Sequence, residues 1–189
     1  MKLSRALSLS AALAAFTAVP SAVHADTMIS AHGGWAFGSD LNESRTTWGG
    51  ALTFMGDGAF GFEVEGTYTP DFFGGADVFN DDNVSTLMGN ILIGTHFGTD
   101  HPGSVYASIG GGLMKTQVSS ADEFFDVGRN DFGVSGGVGA MGFFNDHIGL
   151  RGDVRYFRNL GDPEPDNEFD LDFGDFSFWR GTGGIVLKF

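Results

Sequence analysis

The chain has 189 residues, with 31 glycines, 20 phenylalanines, no cysteine and a formal charge of −14. That length suits one domain. The lack of thiols excludes a disulfide scaffold and a Cys-ligated metal, and the acidic balance argues against nucleic acid, whose phosphates are held by Lys and Arg.

The N-terminal segment differs in character from the rest of the chain. Lys2 and Arg5 open it, Ala6 to Val19 is an uncharged apolar run, and Val23-His24-Ala25 offers small residues ahead of Asp26. This is the layout of a secretory signal peptide, expected to be cleaved after Ala25. A membrane anchor is the competing reading, but the run falls short of the ~20 residues a spanning helix needs. Removing Lys2 and Arg5 shifts the charge from −14 to −16 and leaves eight of the ten cations. The expected mature domain is 26–189, and no later stretch is apolar and long enough to cross a bilayer as a helix.

From Thr27 onward the pattern has period two, the signature of strands. Over Thr27–Phe37, Ile29, Ala31, Gly33, Trp35 and Phe37 share one face, with Ser30, His32, Gly34 and Ala36 on the other. Ser39 to Arg45 reads as a loop. Thr46–Gly56 is the second strand, with Trp48, Gly50, Leu52 and Phe54 outward, and Asp57-Gly58 is a strong hairpin signal. In Ala59–Thr69, Glu63 and Glu65 alternate with Phe62, Val64 and Tyr68. Pro70 to Asn83 reads as an acidic loop, then Val84–Phe97 as a strand with Met88, Asn90, Leu92, Gly94 and His96 inward.

Gly98–Pro102 is a short turn, Gly103–Val118 a fifth strand, Ser119–Arg129 a loop and Asn130–Phe144 a sixth strand. After an Asn145-Asp146 turn, His147–Leu160 sets Ile148, Leu150, Val154 and Tyr156 against Arg151, Asp153 and Arg155. Gly161–Asp175 is the most acidic loop. The last stretch, Phe176–Phe189, places Trp179, Gly181, Gly183, Ile185, Leu187 and Phe189 on one face, and Arg180, Thr182, Gly184, Val186 and Lys188 on the other.

This predicts an all-β fold, an eight-stranded antiparallel transmembrane β-barrel. Short turns and longer acidic loops alternate, as they do when short turns are periplasmic and long loops extracellular. A soluble eight-stranded lipocalin-like barrel would put its apolar face inward. Here the charged residues share a face with Gly and Ser, which cannot fill a core.

On these features the chain resembles the small eight-stranded outer-membrane protein family, which includes the transmembrane domain of OmpA, OmpX and the opacity-type adhesins. The resemblance covers Asp26 to Phe189 and is most specific in Gly183-Gly184-Ile185-Val186-Leu187-Lys188-Phe189. It implies that Ile185, Leu187 and Phe189 form the signal read by the barrel-assembly machinery. It also implies residence in a Gram-negative outer membrane, among lipid and lipopolysaccharide. With no periplasmic domain expected after the barrel, cell-wall tethering is not carried over.

Three constellations could carry chemistry. The inward residues Glu63, Glu65, Arg151, Asp153, Arg155, Arg180 and Lys188 are expected to gather in an interior salt-bridge network, either to satisfy buried charge or to gate a narrow ion path. Glu168, Asp170 and Asp172 could line one face near the outer mouth. They offer hard oxygen ligands for Ca²⁺ or Mg²⁺, although EF-hand spacing is absent and a solvated acidic rim is the competing reading. The histidines His32, His96, His101 and His147 show no paired arrangement with Ser30 or Ser135 of the kind a triad needs. No cofactor is called for. The expected function is that of a non-enzymatic integral outer-membrane protein, contributing to envelope structure or presenting acidic loops for surface interaction. The alternative is a low-conductance porin-like channel for small solutes or ions.

Overall fold

The computed structural model describes residues 25–39, 41, 43–56, 59–72, 79–98, 103–120, 126–160 and 176–189. Eight strands occur in chain order: β1 (Ala25–Phe37), β2 (Arg45–Gly56), β3 (Phe60–Pro70), β4 (Phe79–Phe97), β5 (Gly103–Ser120), β6 (Asp126–Phe143), β7 (Ile148–Asn159) and β8 (Ser177–Lys188). Each pairs antiparallel with the next, and β8 pairs back with β1 to close the barrel. Closure removes the free edges that an open sheet would expose, and in lipid it leaves no backbone polar group without a partner.

The registers fix the stagger. The pairing line from Ile29 passes through Leu52, Val64, Gly89, Gly111, Val134 and Arg158 to Ser177. Extending the β1–β8 register, in which Phe37 faces Trp179, sets Ser177 opposite position 39. The Ser39 and Ser177 hydroxyls indeed lie 2.5 Å apart. One circuit therefore climbs from 29 to 39, ten residues, and a stagger of that size obliges the strands to tilt by roughly 40°.

The alternation decides which side chains meet lipid. Along β7 every second residue from Gly149 to Asn159 is buried, and its partners between are exposed or half-buried. The outward face carries Ile29, Leu52, Leu87, Ile91, Ile109, Val138, Leu150 and Ile185, and of these Val138 is 63% exposed. Trp35, Trp48, Tyr68, Tyr156 and Trp179 form a ring near the long-loop end, while Phe60, Phe97, Phe144 and Phe189 ring the other end. From Trp179 on β8 to the terminal Phe189 is ten residues. At ~3.3 Å each and this tilt, that gives roughly 25 Å along the barrel axis, the height of the apolar band in transmembrane barrels. At the lower rim, Asn145 Oδ1 accepts hydrogen bonds from the backbone N–H groups of His147 (2.9 Å) and Ile148 (2.8 Å), which closes the predicted tight turn. The Asp57-Gly58 turn lies outside the described residues.

Two features depart from the sequence reading. First, three strands run past the predicted loop boundaries. β4 begins at Phe79 rather than Val84, β5 continues to Ser120, and β6 begins at Asp126 rather than Asn130. Pairing holds from Asp82–Val118 and Asn83–Gln117 up to Phe79–Ser120, and from Asn130–Lys115 up to Asp126–Ser119. Among the described residues pairing elsewhere stops lower, at Pro70–Asn83 between β3 and β4 and at Gly133–Asn159 between β6 and β7. β4, β5 and β6 thus form a wall that stands above the rest of the long-loop rim. Polar residues mislead here, because a sheet continuing into water needs no apolar face.

Second, the lumen is not polar throughout. Met28, Met55, Leu92, Tyr106, Met141, Phe143 and Val186 pack as an apolar layer toward the short-turn end. Ala36, Phe72, Val84, Met88, Met114, Phe157, Phe176 and Phe178 pack as a second layer toward the long-loop end. An eight-stranded barrel is just wide enough to be filled by its own side chains, so its inward face can build a core as a soluble domain does.

Candidate functional site

Between the two apolar layers lies a belt of charge. Glu63 and Glu65 project inward from β3, Arg151, Asp153 and Arg155 from β7, and Arg180 from β8; all six are buried. They interlock across the barrel. Arg151 Nη1 donates to Glu63 Oε2, and Arg151 Nε donates to Asp153 Oδ2 at 3.0 Å. Arg155 is the hub. Its Nη2 lies 2.8 Å from Glu63 Oε1, its Nη1 3.3 Å from Glu65 Oε2 and its Nε 3.1 Å from Asp153 Oδ1. Arg180 Nη2 donates to Glu65 Oε2, and its Nη1 donates to Thr67 Oγ1 at 3.0 Å. Three carboxylates thus face three guanidiniums. The belt is electrically balanced, which is what burial of so many charges requires.

Neutral groups complete the network. Thr53 donates to Glu63 Oε2 (2.9 Å) and Asn90 Nδ2 donates to Glu63 Oε1 (3.1 Å), while Ser135 donates to Asn90 Oδ1 (3.3 Å). Tyr106 donates to Asp153 Oδ2 (3.3 Å). His32 Nε2 sits 3.3 Å from Glu65 Oε1. The Arg180 guanidinium also stacks 4.4 Å above the Phe157 ring, joining the belt to the upper apolar layer. The sequence reading missed these partners, yet the signal was there. Thr53 and Asn90 are the register neighbours of Glu63 on β2 and β4, so any correct pairing of the hairpins would have found them.

Inward glycines make room for the belt. A Cβ at Gly137 would meet Arg155 Cγ at 2.7 Å, and one at Gly139 would meet the Tyr106 hydroxyl at 2.5 Å. The wall is therefore thinnest where the largest charged and aromatic side chains lie against it.

Lys188 is a correction to the expected network. It stands eight residues below Arg180 on β8, at the short-turn rim, where its Nζ lies 3.4 Å from Asp26 Oδ2. The strand length between them is too great for it to reach the belt. His96 keeps the expected inward face, lining the lower lumen with Met28, Met55 and Met141, but at the open end of the barrel. It is exposed at the same rim. Ile185, Leu187 and Phe189 all lie exposed on the outward face. Glu168, Asp170 and Asp172 lie outside the described residues, and among those described no group of three or more His, Asp or Glu side chains could hold a metal ion.

A closed antiparallel barrel with an apolar exterior band, aromatic rings at both edges and a charged interior is the construction of an outer-membrane β-barrel protein. The chain belongs to the outer membrane protein beta-barrel domain family, whose model matches residues 6–179, and its place is the bacterial outer membrane. Among solved structures it is similar to Neisserial surface protein A, with 13% identity, TM-score 0.58, and coverage of 87% of this chain and 97% of that one. It is also similar to the N-terminal β-barrel domain of Pseudomonas aeruginosa OprF, with 14% identity, TM-score 0.51, and coverage of 87% and 97%. A third is Ail, the attachment invasion locus protein of Yersinia pestis, solved with the heparin analogue sucrose octasulfate, with 13% identity, TM-score 0.52, and coverage of 87% and 98%. At these identities the likeness is one of fold. No curated protein matches the chain at a significant level.

Proposed function

We propose that this is a non-conducting, non-enzymatic barrel that serves the envelope as a rigid outer-membrane element and presents a surface on its long-loop side. The observation that carries this reading is the filled lumen. A neutral, interlocked charge belt lies between two packed apolar layers. A solute path would have to break ion pairs and part both layers. The salt-bridge belt is then a structural device rather than a gate.

The surface half of the proposal is supported by the wall of β4, β5 and β6, which rises past the rest of the rim. Asp81 and Asp126 lie on those raised strands, and Asp122 and Glu123 lie in the sequence between two of them. An extended, acidic sheet held clear of the lipid headgroups suits contact with a basic or polyvalent partner. The test is single-channel recording of the folded protein in a planar bilayer, with folding checked by heat-dependent gel mobility. Silence is expected. Discrete conductance steps that widen in Arg151→Ala would replace this reading with the low-conductance channel.

A further inference from the structure

The sequence contains six methionines, and the five after Met1 all point into the lumen and are buried. They divide into two groups. Met88 and Met114 belong to the upper apolar layer. Met28, Met55 and Met141 pack together in the lower one, where a small cavity of about 40 Å³ opens at the short-turn rim. These three methionines line it together with His96, Asp26 and Lys188. The topology explains the meeting. Met28 and Met55 are diagonal neighbours on β1 and β2, since Met55 pairs with Asp26 and Met28 with Thr53. Met141 and His96 flank Ser104 of β5 in register from either side. The barrel is narrow enough to bring the two walls to one cavity.

We propose that this cavity is a binding site for a soft monovalent cation, Cu(I) or its mimic Ag(I), held by the sulfurs of Met28, Met55 and Met141 and the imidazole of His96. Thioether and imidazole donors select Cu(I) over hard cations such as Mg²⁺ and Ca²⁺. With no cysteine in the chain, methionine is its only soft sulfur ligand. The cavity's volume exceeds the ~10–15 Å³ that a single small guest needs. Of the side chains on its border one is a cation, Lys188, and its ammonium is offset by the Asp26 carboxylate at 3.4 Å. His96, exposed at the rim, would take the ion first, and the thioethers beneath it would complete the set. Methionine also serves as adaptable filler in cores, and the experiment separates the two roles.

The folded protein, with its methionine methyl groups ¹³C-labelled, is titrated with Ag(I) in detergent. In parallel, Cu(I) kept reduced by ascorbate is competed against a chromophoric Cu(I) chelator. The proposal expects one ion per barrel, with the methyl signals of Met28, Met55 and Met141 moving and those of Met88 and Met114 still. Met141→Leu and His96→Ala, checked for folding by heat-dependent gel mobility, should each weaken the ion's retention by about tenfold or more. Met88→Leu should not. The proposal is overturned if the chelator strips all copper at protein excess, if no methyl signal moves, or if all five move alike, which would mark indiscriminate thioether contact.

Discussion

Replacing Arg155 with methionine removes the one guanidinium that touches all three carboxylates of the belt, at 2.8, 3.3 and 3.1 Å from Glu63, Glu65 and Asp153. Methionine keeps most of the volume, so the change is chiefly one of charge. Three acids then share Arg151 and Arg180, and the belt carries one buried negative charge. Breaking a buried pair on one side typically costs 3–5 kcal/mol, because the partner is left uncompensated. Here each acid keeps one guanidinium: Arg151 still holds Glu63 and Asp153, and Arg180 still holds Glu65. The expected loss is therefore at the low end, about 3 kcal/mol. Adding Glu65→Gln restores neutrality, so the double variant should recover about half of that loss, a coupling well above the few tenths expected of independent sites. The assay is equilibrium urea unfolding of the barrel in lipid vesicles, read by tryptophan fluorescence and gel mobility. A single-variant loss under about 1 kcal/mol, or strictly additive losses, would refute the claim that the belt is a balanced, mutually dependent unit.

The two faces of the wall should respond differently to the same small addition. Gly137→Ala puts a methyl against the Val154 carbonyl and 2.7 Å from Arg155 Cγ, and should cost about 1–3 kcal/mol by overpacking in the same unfolding assay. Gly152→Ala, on the lipid face with its nearest neighbour at 3.6 Å, should stay within about 0.5 kcal/mol of wild type. Val138→Arg places a charge in the middle of the outward band and should cost about 2–4 kcal/mol in lipid; an unchanged stability would mean that this face does not meet acyl chains. Lys188→Met, by contrast, removes only a partly exposed rim pair with Asp26 and should cost no more than about 1 kcal/mol.

Much of the fold was legible because period-two alternation is a strict local rule. It assigned Glu63 and Glu65 inward and Val64 outward, and the burial of β3 matches that assignment. The inward charges it assigned to strands three and seven do meet, in the contacts of Arg151 and Arg155 with Glu63 across the barrel. Two kinds of information were missing. Alternation says which face a residue takes but not how far a strand continues once it leaves the membrane, so Asp82 and Asn83 read as loop although they pair with Val118 and Gln117. It also says nothing of height until every register is known. Arg180 and Lys188 lie on the same face of β8, eight residues apart, and it is the stagger of the barrel that brings Arg180 rather than Lys188 level with Glu65. Met28, Met55 and Met141 are far apart in the chain and meet for the same reason.

The belt also bears on why the barrel closes as it does. Its partners are remote in sequence: Arg151 is 88 residues from Glu63, and Arg180 is 115 from Glu65. The strands that carry them, β3, β7 and β8, face one another only once the circle is complete. An open or misregistered sheet in lipid would keep only the pairs of Asp153 with Arg151 and Arg155 inside β7, and would leave Glu63, Glu65 and Arg180 without partners, at a cost that rises steeply with each one. A slip of one residue would turn them to the acyl chains. An all-apolar filling of the same volume could match the belt in stability, but it would penalise neither error. Charge buried between two apolar layers thus acts on the alternatives more than on the native state. That is an advantage for a protein whose apolar outward band does little to distinguish one register from another.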